Sequence, residues 1–332
     1  MIEYADVIVD LQAGDTGKGK VAHAKCKSKE YTHVVRYNGG GNAGHTVYHN
    51  GEKYVTHFIP IGVVYGIKSI IGLGCVVDPI KLEEEIKDLE KGGFKVRENL
   101  FIDEKAHVIL PEYVEEDSKD TKIGTTRTGN GQAYRNKYNR TGVRAKDVFS
   151  EDMLIDTYEE FHGESKVRIL FEGAQGFEID IDFGDYPYVT SSHCTVGGAV
   201  LNGVAPKYIR NTIGIIKAYR TYVGAKDFEG KSDYFEKIRE VGGEFGATTG
   251  RPRQINWLNL DDVIKASNIN GVNELIINKL DVLEEVGIFV CVYKGVEVVF
   301  SGSEEFVSYC EQILSAVETI ESVVWSRSPY KI

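Results

Sequence analysis

Six short segments of this chain gather residues able to do chemistry on a phosphorylated substrate. The first is Gly14-Asp15-Thr16-Gly17-Lys18-Gly19-Lys20. Glycines let a backbone approach phosphate closely, and Lys18 adds a point charge. The segment departs from the Walker pattern G-x-x-x-x-G-K-S/T, so it is not an ordinary P-loop. Gln12 stands where the first glycine belongs, and Gly19 follows the lysine where a magnesium-holding hydroxyl belongs. The second is Asn42-Ala43-Gly44-His45-Thr46, after three glycines. A lone histidine is more often structural. One placed between Gly44 and Thr46 in a polar loop suits a proton donor or a phosphate contact. The third is Asn278-Lys279-Leu280-Asp281 at the end of an apolar run. This N-K-x-D arrangement reads guanine: the carboxylate accepts from N1–H and N2–H while the lysine stem covers the ring.

The other three segments are weaker singly. Gly246-Ala247-Thr248-Thr249-Gly250-Arg251-Pro252-Arg253 sets two arginines beside a Thr-Thr-Gly turn, a good clamp for carboxylate or phosphate. Ile123-Gly124-Thr125-Thr126 has Arg140 and Arg144 downstream. Glu172-Gly173-Ala174-Gln175-Gly176 precedes Tyr186-Pro187-Tyr188-Val189-Thr190-Ser191-Ser192. Any one of these could be a turn of solvated polar residues.

The elements that must position these segments are legible. Ala5 to Leu11 reads as a buried strand running into the first glycine-rich turn, with a helix after it. Lys68 to Val77 reads as another strand. Asp78 then caps a helix that has Pro79 at its first position, Leu82, Ile86 and Leu89 on one face, and Gly92-Gly93 at its end. Further strands are expected at Val167 to Phe171, Ile213 to Lys217 and Leu275 to Ile277. Phe289 to Phe300 reads as a hairpin turning at Lys294-Gly295. Ser303 to Val317 reads as an amphipathic helix with Phe306, Cys310, Ile313 and Val317 inward. Alternating strands and helices predict an α/β fold with a mainly parallel central sheet flanked by helices, ligands gathering at the carboxyl ends of the strands. With no repeat or linker, a single domain over residues 1–332 is the simplest expectation.

The bulk numbers exclude several classes. With 332 residues, 42% apolar and 27% charged, this is an ordinary globular composition. A net charge of −11 argues against nucleic acid as a partner. No apolar run approaches the ~18–20 residues that span a bilayer, and acids stand at the N-terminus where a signal peptide carries lysines. A cytoplasmic protein without membrane association is expected. The five cysteines are scattered and odd in number, which suggests neither disulfides nor zinc.

Taken in order, the six segments resemble the adenylosuccinate synthetase family from Val7 to about Asp281, with a weaker trace at Ser326-Arg327-Ser328-Pro329. The chain is short for the family and similar to its compact archaeal and phage members. The resemblance implies a P-loop-NTPase-like α/β fold with helical and small β excursions. It also implies a GTP-dependent ligase that joins L-aspartate to C6 of a purine nucleotide through a 6-phosphoryl intermediate. Asp15 would be the base at purine N1, His45 the donor to the γ-phosphoryl, and Lys18 a third catalytic group. Mg2+ would be held by Asp15 and the Gly44 carbonyl. Asn42, Thr126, Gln175, Thr190 and Arg251 would hold the purine nucleotide, with Arg140 reaching its phosphate from the other subunit of a homodimer. Thr249, Arg251 and Arg253 would clamp aspartate. Gly17, Lys18, Gly19, Thr46, Arg253, Lys279, Asp281 and Ser326 would bind GTP. Several positions depart from the pattern: Ala13 replaces a tryptophan, Thr16 a glutamate, Gly41 a histidine and Thr128 an arginine, while Pro252 and Gln254 interrupt an arginine run. These leave two acceptors open: IMP, and dGMP as in phage relatives that make diaminopurine precursors. A GTP-binding switch without ligase chemistry would use Lys279 and Asp281 but leave Asp15, His45 and Arg251/Arg253 without a role.

Overall fold

The computed structural model describes residues 1–246 and 250–332. Its centre is a nine-stranded sheet. In spatial order the strands are Ser322–Trp325, Glu274–Asn278, Ile209–Lys217, Ile2–Asp10, Val167–Glu172, His33–Arg36, Lys68–Ile71, Leu100–Asp103 and Leu154–Ile155. Every neighbouring pair is parallel. Parallel strands require crossovers, and these lay helices over both faces.

Side-chain alternation shows the two covered faces. Val7, Val9 and Leu11 enter one core cluster while Ile8 between them enters the other. Leu275 and Ile277 join the first cluster and Ile276 the second. All seven are fully buried, and each such aliphatic side chain contributes about 1.5–3 kcal/mol. Helix Lys18–Lys27 carries Val21, Ala22 and Cys26 into the second cluster. Helix Ser303–Leu314 carries Phe306, Cys310 and Leu314 into the first.

The helix after Asp78 forms as its signals require. It spans Pro79–Lys91, and the Asp78 carboxylate accepts from the N–H groups of Ile80 (2.9 Å) and Lys81 (3.1 Å), a cap worth about 1 kcal/mol. The hairpin Phe289–Tyr293/Val296–Phe300 turns at Lys294 and Gly295, both with positive φ. It belongs to a second, four-stranded sheet with Tyr219–Tyr222 and Gln254–Asn259.

Two expectations are corrected. Lys68 to Val77 is not one strand. Lys68–Ile71 lies in the central sheet, and Val76–Val77 pairs elsewhere with His107–Val108. The break comes at Gly72 and Gly74, where a Cβ would come within 2.8 Å of the Arg36 carbonyl and 2.1 Å of the Tyr37 carbonyl. The chain there runs against its neighbour too closely for a side chain. His45, expected in a flexible polar loop, opens a strand instead. His45–His49 pairs antiparallel with Glu52–Thr56 across Asn50 and Gly51, both with positive φ. Asn-Gly is the common two-residue hairpin turn, so this signal was present in the sequence.

Candidate active site

The strand order places the ends of Ile2–Asp10, Val167–Glu172, His33–Arg36, Ile209–Lys217 and Glu274–Asn278 side by side. The loops that leave them surround a cavity of about 710 Å³. Its lining includes Asp15, Gly17, Lys18, Gly19, Asn42, Gly44, His45 and Thr46 from the amino-terminal segments. Thr126, Gln175, Thr190, Arg251, Arg253, Lys279 and Asp281 complete it. Thus nearly every residue expected at the site opens onto one space. Three do not contribute to this lining. Arg140 is exposed at the end of helix Asn130–Asn139, away from the cavity wall. Ser326 is buried behind the wall, which Ser328 and Pro329 form instead. Thr249 lies outside the described residues.

The glycine-rich turn is built around a buried acid. Asp10, the last residue of its strand, accepts from the Gln12 N–H (2.9 Å), the Thr16 hydroxyl (2.5 Å) and the Lys18 ammonium (2.8 Å). Lys18 also donates to the Gln175 carbonyl at 2.6 Å. Thr16, where the family has a glutamate, is thereby the hydroxyl that caps Asp10. Gly17 has φ +103, and a Cβ on it would stand 2.8 Å from the Asn278 side-chain nitrogen. That Asn278 nitrogen donates to the Thr16 carbonyl at 2.7 Å, tying the turn to the N-K-x-D segment.

Asp15 projects into the cavity with its side chain 35% exposed, and its carboxylate pairs with Arg253 at 2.9 Å. Its φ of 57 lies in the left-handed region, where aspartate and asparagine are the most tolerated side chains.

His45 is 5% exposed and lies between Glu172 and Arg36. Burial pushes the Glu172 carboxyl upward, but Arg36, His45 and the Ile61 N–H (3.0 Å) outweigh it and hold the pKa at about 2. An ionised carboxylate only accepts, so His45 Nδ1 carries the proton toward Glu172. The other nitrogen, Nε2, then accepts from Arg36 at 3.3 Å. Burial and then the Arg36 charge lower the ring's pKa to about 4, so the ring is neutral at pH 7.

Arg253 is the hub of the opposite wall. Besides Asp15 it binds Glu244, which is fully buried and also accepts from Lys217 (3.1 Å) and Tyr219 (2.6 Å). Gln175 has φ 55 and donates to Asn42 at 2.9 Å. Thr126 bonds Thr128 at 2.9 Å, and Arg251 donates to the Gly124 carbonyl at 3.1 Å. Lys279, also in the left-handed region, donates to the Gly242 carbonyl at 2.7 Å. Lys20 anchors the carboxyl-terminal tail through Ser326 (2.7 Å) and the Ser328 carbonyl (3.0 Å). Burial lowers its pKa to about 8 against the pull of Asp281.

Sequence reasoning missed Asp10, Arg36 and Lys217 as parts of this site, and gave no role to Glu172, which opens one of the six segments. Each is the last residue of a central strand. A charged residue closing an apolar run was the signal available. Two departures from the family pattern acquire a physical reading. A Cβ on Gly41 would meet the Phe58 ring at 2.8 Å, so Phe58 occupies the room a larger side chain would need. Ala13 borders both the main cavity and a neighbouring one of about 220 Å³ lined by Glu178, Arg220, Phe183 and Phe228.

For a magnesium ion, Asp15 and the Gly44 carbonyl offer hard oxygen donors on the cavity lining. Magnesium keeps several waters and completes its shell with substrate phosphates, so a sparse protein donor set of this kind fits. Among the described residues, the three-residue cluster with metal-ligand spacing is Asp180, Asp182 and His193, which does not line this cavity. Asp180 is already engaged by the N–H groups of Asp182, Phe183 and Cys194.

A fully parallel sheet whose carboxyl edge carries a glycine-rich turn, a cavity and facing cations defines an α/β enzyme of phosphorylated substrates. Comparison with known proteins gives the family. The adenylosuccinate synthetase family model matches residues 7–166 and 156–324. An adenylosuccinate synthetase from Caldanaerobacter subterraneus is 39% identical over 83% of this chain and 78% of its own length. One from Halothermothrix orenii is 38% identical over 92% of this chain and 85% of its own. The fully ligated Plasmodium falciparum adenylosuccinate synthetase superposes with a TM-score of 0.83 at 27% identity, covering 98% of each chain. The cyanophage S-2L succinoaminodeoxyadenylate synthetase, solved with dGMP and dATP, shares the fold with a TM-score of 0.76 at 22% identity, over 99% of this chain and 94% of its own. The chain belongs to the adenylosuccinate synthetase family, and it is a GTP-dependent ligase that joins L-aspartate to C6 of a purine nucleotide. No helix among the described residues is long and apolar enough to cross a membrane.

Proposed function

We propose that the acceptor is IMP, converted with GTP and L-aspartate to adenylosuccinate, GDP and phosphate, by one domain acting in the cytoplasm. The observation that carries this reading is the opening of Asp15, Lys18, His45, Arg253, Lys279 and Asp281 onto one cavity. A 6-oxo group leaves poorly and must first become a phosphate ester. Asp15 takes the N1 proton, negative charge builds on O6, and O6 attacks the γ-phosphorus as GDP departs. Lys18, Thr46 and the glycine-rich turn neutralise charge spreading over the phosphoryl oxygens, with His45 donating to them. The amine of aspartate, its carboxylates held by Thr249, Arg251 and Arg253, then displaces phosphate at C6. Asn42, Thr126, Gln175, Thr190 and Arg251 hold the purine nucleotide. Asp15 and the Gly44 carbonyl would hold magnesium, which would supply further neutralisation of phosphate charge.

The test is kcat/KM for IMP against dGMP under matched GTP, magnesium and aspartate. A clear preference for IMP is expected, because a carboxylate held toward N1–H leaves little room at C2. A preference for dGMP would overturn the acceptor and leave the ligase chemistry intact. One observation favours that second reading: small Ala13, two residues from Asp15, borders both the main cavity and a second one.

GTP is expected to exceed ATP by roughly 30–150-fold in kcat/KM. Adenine lacks the N1–H and N2–H pair that Asp281 would accept, and an unpaired carboxylate at that contact costs about 2–3 kcal/mol. Equal turnover of the two donors would remove Asp281 and Lys279 from guanine recognition.

Arg140 is proposed to act on the purine phosphate of the neighbouring subunit. Its exposure away from its own cavity is what a contribution in trans requires. An Arg140→Leu chain mixed with an Asp15→Ala chain is expected to regain activity, since one of the two hybrid sites carries both wild-type residues. Verified heterodimers without recovery would contradict it.

A further inference from the structure

The buried charges behind Arg253 are not used by the steps above. Glu244 has no exposed surface, yet three donors converge on it: Lys217, Tyr219 and Arg253. Lys217 is 1% exposed. Its ammonium also donates to Thr221, at 2.6 Å, and Thr221 lines the cavity. Removing two ions from water is costly, and a hydrophobic pair of similar volume would often serve stability as well. A pair kept in such a place therefore points to a task other than stability.

Charge counting suggests the task. Arg253 presents one guanidinium nitrogen, Nη1, to Glu244 and the other, Nη2, to Asp15. If Glu244 were the only buried charge behind it, Arg253 would be neutralised from the rear. Lys217 cancels Glu244 instead. The trio Lys217, Glu244 and Arg253 then carries one net positive charge, which it presents through Nη2 toward the cavity. Asp15 meets that charge here. Were Asp15 to turn to the purine, the same donor would be left for another anion. Arg253 Nε is likewise buried, with no hydrogen-bond partner among the described residues.

We propose that Lys217 and Glu244 are positioning residues for the ligase reaction. Glu244 fixes the direction of the Arg253 guanidinium, and Lys217 preserves its positive charge for the carboxylate of the incoming aspartate. Neither touches substrate. The geometry also assigns Asp15 a resting role, as the anion that holds the Arg253 position before substrates assemble. The inference rests on the reading of Arg253 as an aspartate clamp.

The measurement is steady-state kinetics on the full-length protein, varying aspartate and the purine nucleotide separately. Lys217→Met leaves Glu244 free to neutralise Arg253. It is expected to raise KM for aspartate by about tenfold or more while KM for the purine nucleotide moves by less than about threefold. Lys217→Arg, which keeps the charge, recovers part of that loss. If Lys217→Met does not fold, the isosteric Glu244→Gln carries the test of the orienting role: it adds net positive charge but takes away the carboxylate that directs Arg253, and the aspartate KM is expected to rise by about threefold or more. An aspartate KM within about twofold of wild type, or an equal rise in both KM values, overturns the proposal. Arg253→Leu separates the two levels. If it leaves the aspartate KM unchanged, the clamp reading itself fails. If it raises that KM while the Lys217 and Glu244 variants do not, only the positioning role fails.

Discussion

Asp15→Asn is expected to lower kcat by about 10²–10⁴-fold while changing KM for the purine nucleotide little, because it removes a proton acceptor and keeps the shape of the residue. The substitution is a clean one. Asparagine tolerates the left-handed backbone that Asp15 adopts. The lost ion pair with Arg253 is one-third exposed on the Asp15 side, so it carries little of the fold's stability. A loss of activity would therefore come from chemistry rather than from unfolding, and an unchanged melting temperature would show it. A variant with near-normal kcat would exclude Asp15 as the base at N1.

Part of the sheet was legible because buried parallel strands are short apolar runs, and the runs at Ala5, Val167, Ile213 and Leu275 are bounded by polar turns. All four of these runs lie in the central sheet, although Ile209–Lys217 begins four residues before the predicted run. The strands His33–Arg36, Leu100–Asp103, Leu154–Ile155 and Ser322–Trp325, of four residues or fewer, were not foreseen. The break of Lys68 to Val77 was harder to foresee. Gly72 and Gly74 sit in an otherwise strand-like run, and only the approach of the neighbouring backbone makes them a departure point. The cavity-facing residues were legible as segments, since glycine-rich turns and paired arginines have few other uses. The support beneath them was not. Glu172 binds His45 across 127 residues of sequence, and Glu244 binds Lys217 across 27. Spacing within a segment carries no record of such pairings. They arise because the carboxyl ends of parallel strands come together, so that Asp10, Arg36, Glu172 and Lys217, each placed to end a strand, meet under one cavity.

That convergence bears most directly on His45. With Nδ1 committed to Glu172 and Nε2 accepting from Arg36, the ring as it stands has no proton to spare for a phosphoryl oxygen. Burial and Arg36 hold its pKa near 4. An anion arriving beside Nε2 acts in the opposite direction, drawing Arg36 toward itself and favouring the doubly protonated ring, which Glu172 is placed to stabilise. On the proposed reading the histidine would become a donor when phosphate is present. His45→Asn is expected to cut kcat by about 10²–10⁴-fold with a smaller change in KM for GTP. It also has a signature in the absence of substrates. In the unfolded chain the ring takes a proton near pH 6.5, whereas in the folded chain it does so only near 4. Between those values the unfolded state binds more protons, so wild-type stability falls as the pH is lowered through that window. Asparagine does not titrate. The pH dependence of unfolding for His45→Asn should therefore be shallower between pH 6.5 and 4, with the residual slope coming from other groups such as Glu172 below pH 4.5. Parallel unfolding curves for the two proteins across that window would show that His45 is not held neutral in the fold, and the substrate-triggered donor would lose its basis.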